Sequence, residues 1–449
     1  MNNSTFSFKN ILIYFLFYLI SIGLILSIIF LPKHAHETNW AQNIIVFASV
    51  IFVTKYFIYM IISAWYDTAW ALKKIKNNKI IKAYNPKVSV LIPAWNEEVG
   101  VLKTMKSLIK STYRNLEIVV INDGSTDQSD NLIRSFISDY STKFQNDTKF
   151  VYHYKENGGK GTALNTGITL ATGEIILTID ADSIVEKTAV ANFVAHFADP
   201  KVMAAVGNVK VGNTTNFIAV LQYLEFLFSF YLKRADSIFG SIYIIGGAAG
   251  AFRKNLFEKL GPYSENNITE DIELTVRIQK AGLKIVYAAD SVIYTEGAND
   301  ISGLLKQRLR WKRGRLDTFI EHKNLFFSSR KGHNKFLTWF VLPFVVLGDT
   351  QLLLEIPFLV VLYIYSYAAQ DFSPFIASLF LVILVFIIQI FVSDRKFNKT
   401  KVFPFAPIAW LMFYTITLIE LNALFKSVWS LYKKREIKWQ SWDRKGINS

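Results

Sequence analysis

Two aspartates one residue apart, Asp180-Ala181-Asp182, follow directly on the apolar run 174–179. Carboxylates this close at the end of a buried strand repel each other and are costly to desolvate, and a divalent cation with hard oxygen ligands relieves both. On a nucleotide-binding sheet, such a pair implies Mg²⁺ or Mn²⁺ bridging a diphosphate; the competing reading is two acidic loop residues in solvent. Asp123 stands in Asn122-Asp123-Gly124-Ser125-Thr126-Asp127, behind the run 116–121. An acid there is placed to hold a base or ribose, because ligands of open α/β sheets sit at the carboxyl ends of strands. An Asp-Gly turn with an Asp or Ser helix cap accounts for the same residues. The segment Gly158-Gly159-Lys160-Gly161-Thr162 has the texture of a phosphate loop without the P-loop spacing, which disfavours an ATPase and leaves Lys160 as a candidate near a diphosphate. Thr269-Glu270-Asp271 opens a helical pattern, so capping alone explains it, and Gln307-Arg308-Leu309-Arg310-Trp311 lies on a basic helix that suits lipid headgroups equally well.

The elements that must position these residues fall into two materials. Residues 11–31 carry no charge and are long enough to cross a hydrocarbon core about 30 Å thick at 1.5 Å per residue. A second apolar stretch follows at 44–65, and the pair reads as two spanning helices within 1–67 rather than as a cleaved leader. Lys73, Lys74, Lys76, Lys79 and Lys82 then mark the cytosolic side. From 86 to 325, short apolar runs alternate with Gly, Asn, Asp and amphipathic stretches, the pattern of a soluble α/β domain. Hydrophobicity returns at 336–368, 375–392 and 405–431, a C-terminal membrane region of 336–432 followed by the basic tail 433–449. Three crossings would put that tail outside, against its charge. Either the last block re-enters or the first supplies an interfacial helix plus a span.

Composition agrees with this division. Of 449 residues, 51% are hydrophobic and 19% charged, too apolar for a wholly soluble enzyme and too polar for a chain wholly in lipid. The absence of cysteine excludes disulfides, Cys-ligated zinc and thiol catalysis. The net charge of +15 gathers at the cytosolic membrane edge and around Arg310, which suits topology and an anionic substrate, so no nucleic-acid partner is needed.

As an ordered set between membrane segments, Asn-Asp-Gly-Ser, Asp-Ala-Asp, Thr-Glu-Asp and Gln-Arg-Leu-Arg-Trp resemble the processive family 2 glycosyltransferases. These are the cellulose, chitin, hyaluronan and poly-N-acetylglucosamine synthases. The Thr-Glu-Asp form, the compact chain and the two leading helices are most similar to the poly-β-1,6-N-acetylglucosamine type. The resemblance implies an α/β GT-A domain with a Rossmann-like mixed sheet, inserted between N-terminal and C-terminal transmembrane helices, with interface helices near 217–234 and 301–320. It implies a plasma-membrane, multi-pass protein whose catalytic domain is cytoplasmic. A UDP-sugar, of GlcNAc or glucose, would be the donor and a growing β-linked polysaccharide the acceptor, with Mg²⁺ or Mn²⁺, the bilayer and room for a small membrane accessory subunit.

Roles follow by position. Asp123, Pro93 and Glu97 would contact the uridine, Asp180 the nucleotide and Asp182 the metal. Lys160 would lie near the uracil or diphosphate. Asp271, beside Glu270, would be the general base, inverting the anomeric centre. Gln307, Arg310 and Trp311 would face the diphosphate and acceptor, and Gly247 would let the backbone approach that acceptor or simply pack a tight strand. Glu420 is an intramembrane carboxylate facing a pathway or a partner. The tail with Trp439, Trp442, Asp443, Arg444 and Lys445 would cover the nucleotide or anchor to headgroups. A transferase adding one sugar to a lipid, and a transporter or scaffold with a degenerate domain, are the alternatives.

Overall fold

The computed structural model describes residues 39–143, 148–214, 216–368, 403–435 and 444–447, with shorter stretches within 12–23 and 370–387 and residue 437. Helices α1 (Asn39–Lys76) and α2 (Asn78–Ala83) lead into strand β1 (Val88–Ala94). There follow α3 (Val101–Ile109), β2 (Leu116–Asp123), α4 (Ser129–Lys143), β3 (Lys149–Lys155), α5 (Lys160–Leu170), β4 (Ile175–Thr178) and β5 (Ile184–Val185). Next come α6 (Ala189–Phe197), β6 (Val202–Val211), α7 (Phe217–Phe239), β7 (Gly250–Arg253), α8 (Asn255–Leu260), α9 (Glu270–Lys280) and β8 (Lys284–Thr295). Helices α10 (Ile301–Glu321), α11 (Leu342–Ala368) and α12 (Ala409–Tyr432) complete the set used below.

The chain divides into two units, one of Met1–Lys76, Leu227–Ile238 and Val346–Leu421, the other of Asn77–Phe226, Phe239–Val345 and Asn422–Ser449. The second carries one eight-stranded sheet in the order β3-β2-β1-β4-β7-β6-β8-β5. Strands β1, β2 and β4 are near-continuous apolar runs buried along their length, as parallel strands covered on both faces must be. Their neighbours β3, β2, β1 and β4 are all parallel, whereas β7 enters antiparallel between β4 and β6 and makes the sheet mixed. At the margin, β3 is partly exposed and ends in Lys149 and Lys155, charges that discourage edge pairing.

A satellite core of this unit joins Ile272 and Val276 of α9, Phe319 of α10, and Leu325, Leu337, Val341 and Leu342. The first residues of the apolar block expected in the membrane from 336 thus serve the sheet-bearing unit. Their apolar character does not separate a buried globular helix from a spanning one.

In the helical unit, Tyr14, Met60 and Ala64 form a buried cluster against Tyr231, and Arg234 pairs with Asp67 at 3.3 Å. Among the described residues, Trp410–Tyr432 is long and apolar enough to cross a membrane, and a bent pair, Leu337–Leu353 with Glu355–Ala368, passes if taken as one span. More than half of the expected first span at 11–31, and half of the block at 375–392, lie outside the described residues.

Candidate active site

The parallel register sets Ala94 of β1 beside Asn122 of β2 and Leu91 beside Thr178 of β4, so the carboxyl ends of three strands open along one edge. Asp123 is the last residue of β2, Asp180 and Asp182 follow β4, and Pro93 and Glu97 lie at and just beyond the end of β1. The sequence alone implies this convergence, because each acid directly follows a buried apolar run.

Asp123 is buried, and its carboxylate accepts from Lys155 Nζ at 2.6 Å, Gly158 N at 3.1 Å and Gly159 N at 2.8 Å. The glycine loop therefore turns two backbone N–H groups onto Asp123. Lys160, the first residue of α5, points elsewhere: its ammonium bonds Asp180 and lies 3.8 Å from Glu270. In this placement the ammonium links Asp180, at the strand ends, to the Thr-Glu-Asp segment.

Asp182 is held on one oxygen by Ser183 Oγ and Thr295 Oγ1, each at 3.2 Å, while its other oxygen accepts from Arg444 Nη1. Arg444 Nη2 reaches Glu97 Oε1 at 3.0 Å, and the buried Glu97 Oε2 has no hydrogen-bond partner among the described residues. Burial pushes the Glu97 carboxyl up to about 8; Arg444 opposes the shift, and Asp182 and Asp180 add to it. Two carboxylates converging on one positive charge, with a spare buried oxygen between, suit a hard divalent cation. The group Glu273, Glu321 and His322 also has metal-ligand composition, but Glu273 already accepts from Arg277 and contacts His322, which leaves little room for an ion.

Facing this edge, the start of α9 presents Glu270 and Asp271. Asp271 Oδ2 accepts from Gly247 N at 2.8 Å and Oδ1 from Ile272 N at 2.8 Å, so backbone N–H groups orient the carboxylate. A Cβ at Gly247 would stand 2.6 Å from Lys160 Nζ, so a side chain there would have to displace that ammonium. Burial raises the Glu270 carboxyl to about 7, with Lys160 pulling it down and Asp271 pushing it up.

Helix α10 closes the site from the far side. At Gly314 a Cβ would sit 2.1 Å from Thr269 Oγ1, so only glycine lets the helix approach the Thr-Glu-Asp turn. Arg308 is buried, bonds Glu225 of α7 through both terminal nitrogens, and lies 4.7 Å from the Trp311 ring centroid. Trp311 in turn packs against Phe226, with centroids 6.2 Å apart. Gln307 is buried with its carbonyl oxygen unpaired among the described residues, and the Arg310 charge bears on Glu270.

The structure thus gathers Pro93, Glu97, Asp123, Asp180 and Asp182 on one edge, and Glu270, Asp271 and Gly247 opposite, joined through Lys160. Trp439, Trp442 and Asp443 lie outside the described residues. Sequence reasoning left Lys155, Thr295, Glu296 and Gly314 without roles. Of these, only Lys155 carried a signal, a cation at the end of a strand beside an acid-tipped one.

Residues 89–261 match the model of glycosyl transferase family 2. Over 374 residues the chain is 28% identical to a poly-β-1,6-N-acetyl-D-glucosamine synthase of Staphylococcus epidermidis, covering 80% of this chain and 88% of that one. It is likewise 28% identical to a probable glycosyltransferase of Bacillus subtilis, over 80% of this chain and 87% of the other. A solved mannosyltransferase of Pyrobaculum calidifontis, in complex with GDP-Man and Mn²⁺, superposes with a TM-score of 0.51 at 20% identity, covering 83% of this chain and 98% of that one, and shares the fold. With a mixed GT-A sheet carrying its acids at the strand ends, the chain carries a family 2 glycosyltransferase domain.

Proposed function

We propose that this enzyme is a membrane-embedded, inverting, processive transferase that builds a β-linked polymer of N-acetylglucosamine from a UDP-sugar and passes it across the membrane. The observation that carries the reading is the opposition of two sets of carboxylates, Asp123, Asp180 and Asp182 at the strand ends and Glu270 and Asp271 on α9, with Lys160 bonding Asp180 and lying 3.8 Å from Glu270. Relatives named as poly-β-1,6-N-acetyl-D-glucosamine synthases, aligned over most of their length, support the choice of polymer.

A sugar hydroxyl is a poor nucleophile and needs a base within hydrogen-bond reach, which contributes about 10² to 10⁴ in rate. Asp271 takes the proton as the acceptor oxygen bonds to the anomeric carbon; the bond from that carbon to the diphosphate breaks, and its electron pair leaves with UDP. Gly247 N–H and the α9 backbone hold the Asp271 carboxylate for this step. Asp182, with Asp180 and Glu97 beside it, would hold Mg²⁺ or Mn²⁺, which supplies charge neutralisation for the diphosphate. Arg310 adds fixed positive charge, and Trp311, steadied by Arg308 and Phe226, offers a flat apolar face for the terminal sugar.

Release of UDP by the purified full chain, measured against a panel of UDP-sugars with Mg²⁺ or Mn²⁺, tests this. UDP-GlcNAc is expected to give the fastest release and UDP-glucose to follow. Release from none of the panel overturns the reading.

A further inference from the structure

The positive charge on Asp182 and Glu97 comes from the far end of the chain. Arg444 bonds both carboxylates, and the residues after it are seated as well. Lys445 N and Gly446 N donate to the two oxygens of Glu296 at 2.8 and 3.0 Å, Ile447 O accepts from Lys103 Nζ at 3.0 Å, and the Ile447 side chain is buried, within reach of Gly212. Asp182, Glu97, Glu296 and Asp180 all act on the Arg444 charge. Four acids around one guanidinium would repel one another strongly if it left with nothing in its place.

We infer that Arg444 is the resident counter-ion of the cation site, and that a divalent cation binds Asp182 and Glu97 only by exchanging with it. The two are mutually exclusive for a geometric reason. A hard cation takes carboxylate oxygens at about 2.0–2.6 Å, and a cation seated between Asp182 Oδ2 and Glu97 Oε1 would stand where the Arg444 guanidinium bonds both. Exchange replaces one positive charge by two, so the acids stay neutralised in both states, and the seated segment 444–447 loses its charged anchor whenever the ion is bound. By linkage the coupling is reciprocal: whatever Arg444 costs the cation in affinity, the cation costs the tail in docking. The inference rests on the proposal that Asp182 holds the cation.

Manganese alone, without nucleotide, is the probe, its free concentration read by electron paramagnetic resonance over the detergent-solubilised full chain. Arg444→Ala should bind Mn²⁺ roughly 5- to 150-fold more tightly than wild type, the usual span of a coupling between sites, and Arg444→Lys should fall between. In wild type, Mn²⁺ should speed hydrogen exchange at the Lys445 and Gly446 amides. Equal or weaker Mn²⁺ affinity in Arg444→Ala overturns the inference, as does exchange at those amides that ignores Mn²⁺. The exchange readout needs no variant, so an unstable Arg444→Ala protein does not shelter the claim. Asp182→Asn separates the two levels: if it abolishes Mn²⁺ binding while Arg444→Ala changes nothing, the exchange fails and the cation site stands. If Asp182→Asn binds Mn²⁺ as wild type does, the cation site itself is misplaced.

Discussion

The same parallel strands end in opposite ways. At their amino edge, Glu117 of β2 is fully buried and closed on every side: Ser89 Oγ donates at 2.6 Å, Thr172 N at 2.6 Å and Thr172 Oγ1 at 2.8 Å, and Lys87 pairs with it at 2.8 Å. At their carboxyl edge, Glu97, Asp123, Asp180 and Asp182 are neutralised by Lys155, Lys160 and Arg444, and a buried oxygen of Glu97 is left over. One carboxylate with a full set of near partners stabilises a fold. Several carboxylates sharing cations drawn from distant segments are costly to assemble and leave capacity for a ligand. The physical difference is satisfaction: the amino edge has none to spare, and the carboxyl edge does.

Breaking each edge should give opposite results. The largest effect falls on the catalytic side, where Asp271→Asn should lower kcat by about 10² to 10⁴ with UDP affinity unchanged, because the Gly247 N–H can still orient an amide oxygen. Steady-state turnover beside calorimetric titration of UDP checks both halves.

At the amino edge the cost should be stability. Burial alone would raise the Glu117 carboxyl, but bonds from Lys87, Ser89 and Thr172 outweigh it and hold it at about 2. A depressed carboxyl stabilises the fold above its ordinary value near 4.3 and loses that contribution as pH falls toward the folded value. Wild type should therefore lose about 3 kcal/mol relative to Glu117→Gln between pH 5 and pH 2, read by thermal unfolding. A gap independent of pH would contradict this.

Gly314→Ala tests the packing that carries Thr-Glu-Asp. Its new Cβ meets Thr269, so about 1–3 kcal/mol of stability should go, with a drop in kcat of order 10² if the turn shifts by an ångström. Smallest is Lys155→Met, which should cost about 1–2 kcal/mol by leaving Asp123 short of its charged donor, and should weaken UDP binding without touching Glu117.

What the amino-acid order reveals follows the same division. Asp123, Asp180 and Asp182 were legible because each stands directly after a run that can only be a buried strand, and strand ends are where α/β sheets bind. Thr-Glu-Asp and the Gln-Arg-Leu-Arg-Trp helix were legible as a set. The partner of the Gly158 and Gly159 N–H groups was not, because the loop has the composition of a phosphate cradle and Asp123 lies some 35 residues earlier. Arg444 meets Asp182 across 262 residues, a contact that no local pattern encodes. Gly314 stands in a helix with no turn signal, and its reason is a neighbour, Thr269, visible only once the helices are packed. Apolar periodicity likewise could not say that Leu337, Val341 and Leu342 belong to the sheet-bearing unit.

The claim that the open carboxyl edge serves polymerisation is tested most directly by sizing the product. The full chain, given UDP-GlcNAc and Mn²⁺ and stopped at low donor conversion, should yield long chains while most acceptor ends remain unextended. Products one sugar longer than the acceptor, at every conversion, would contradict it.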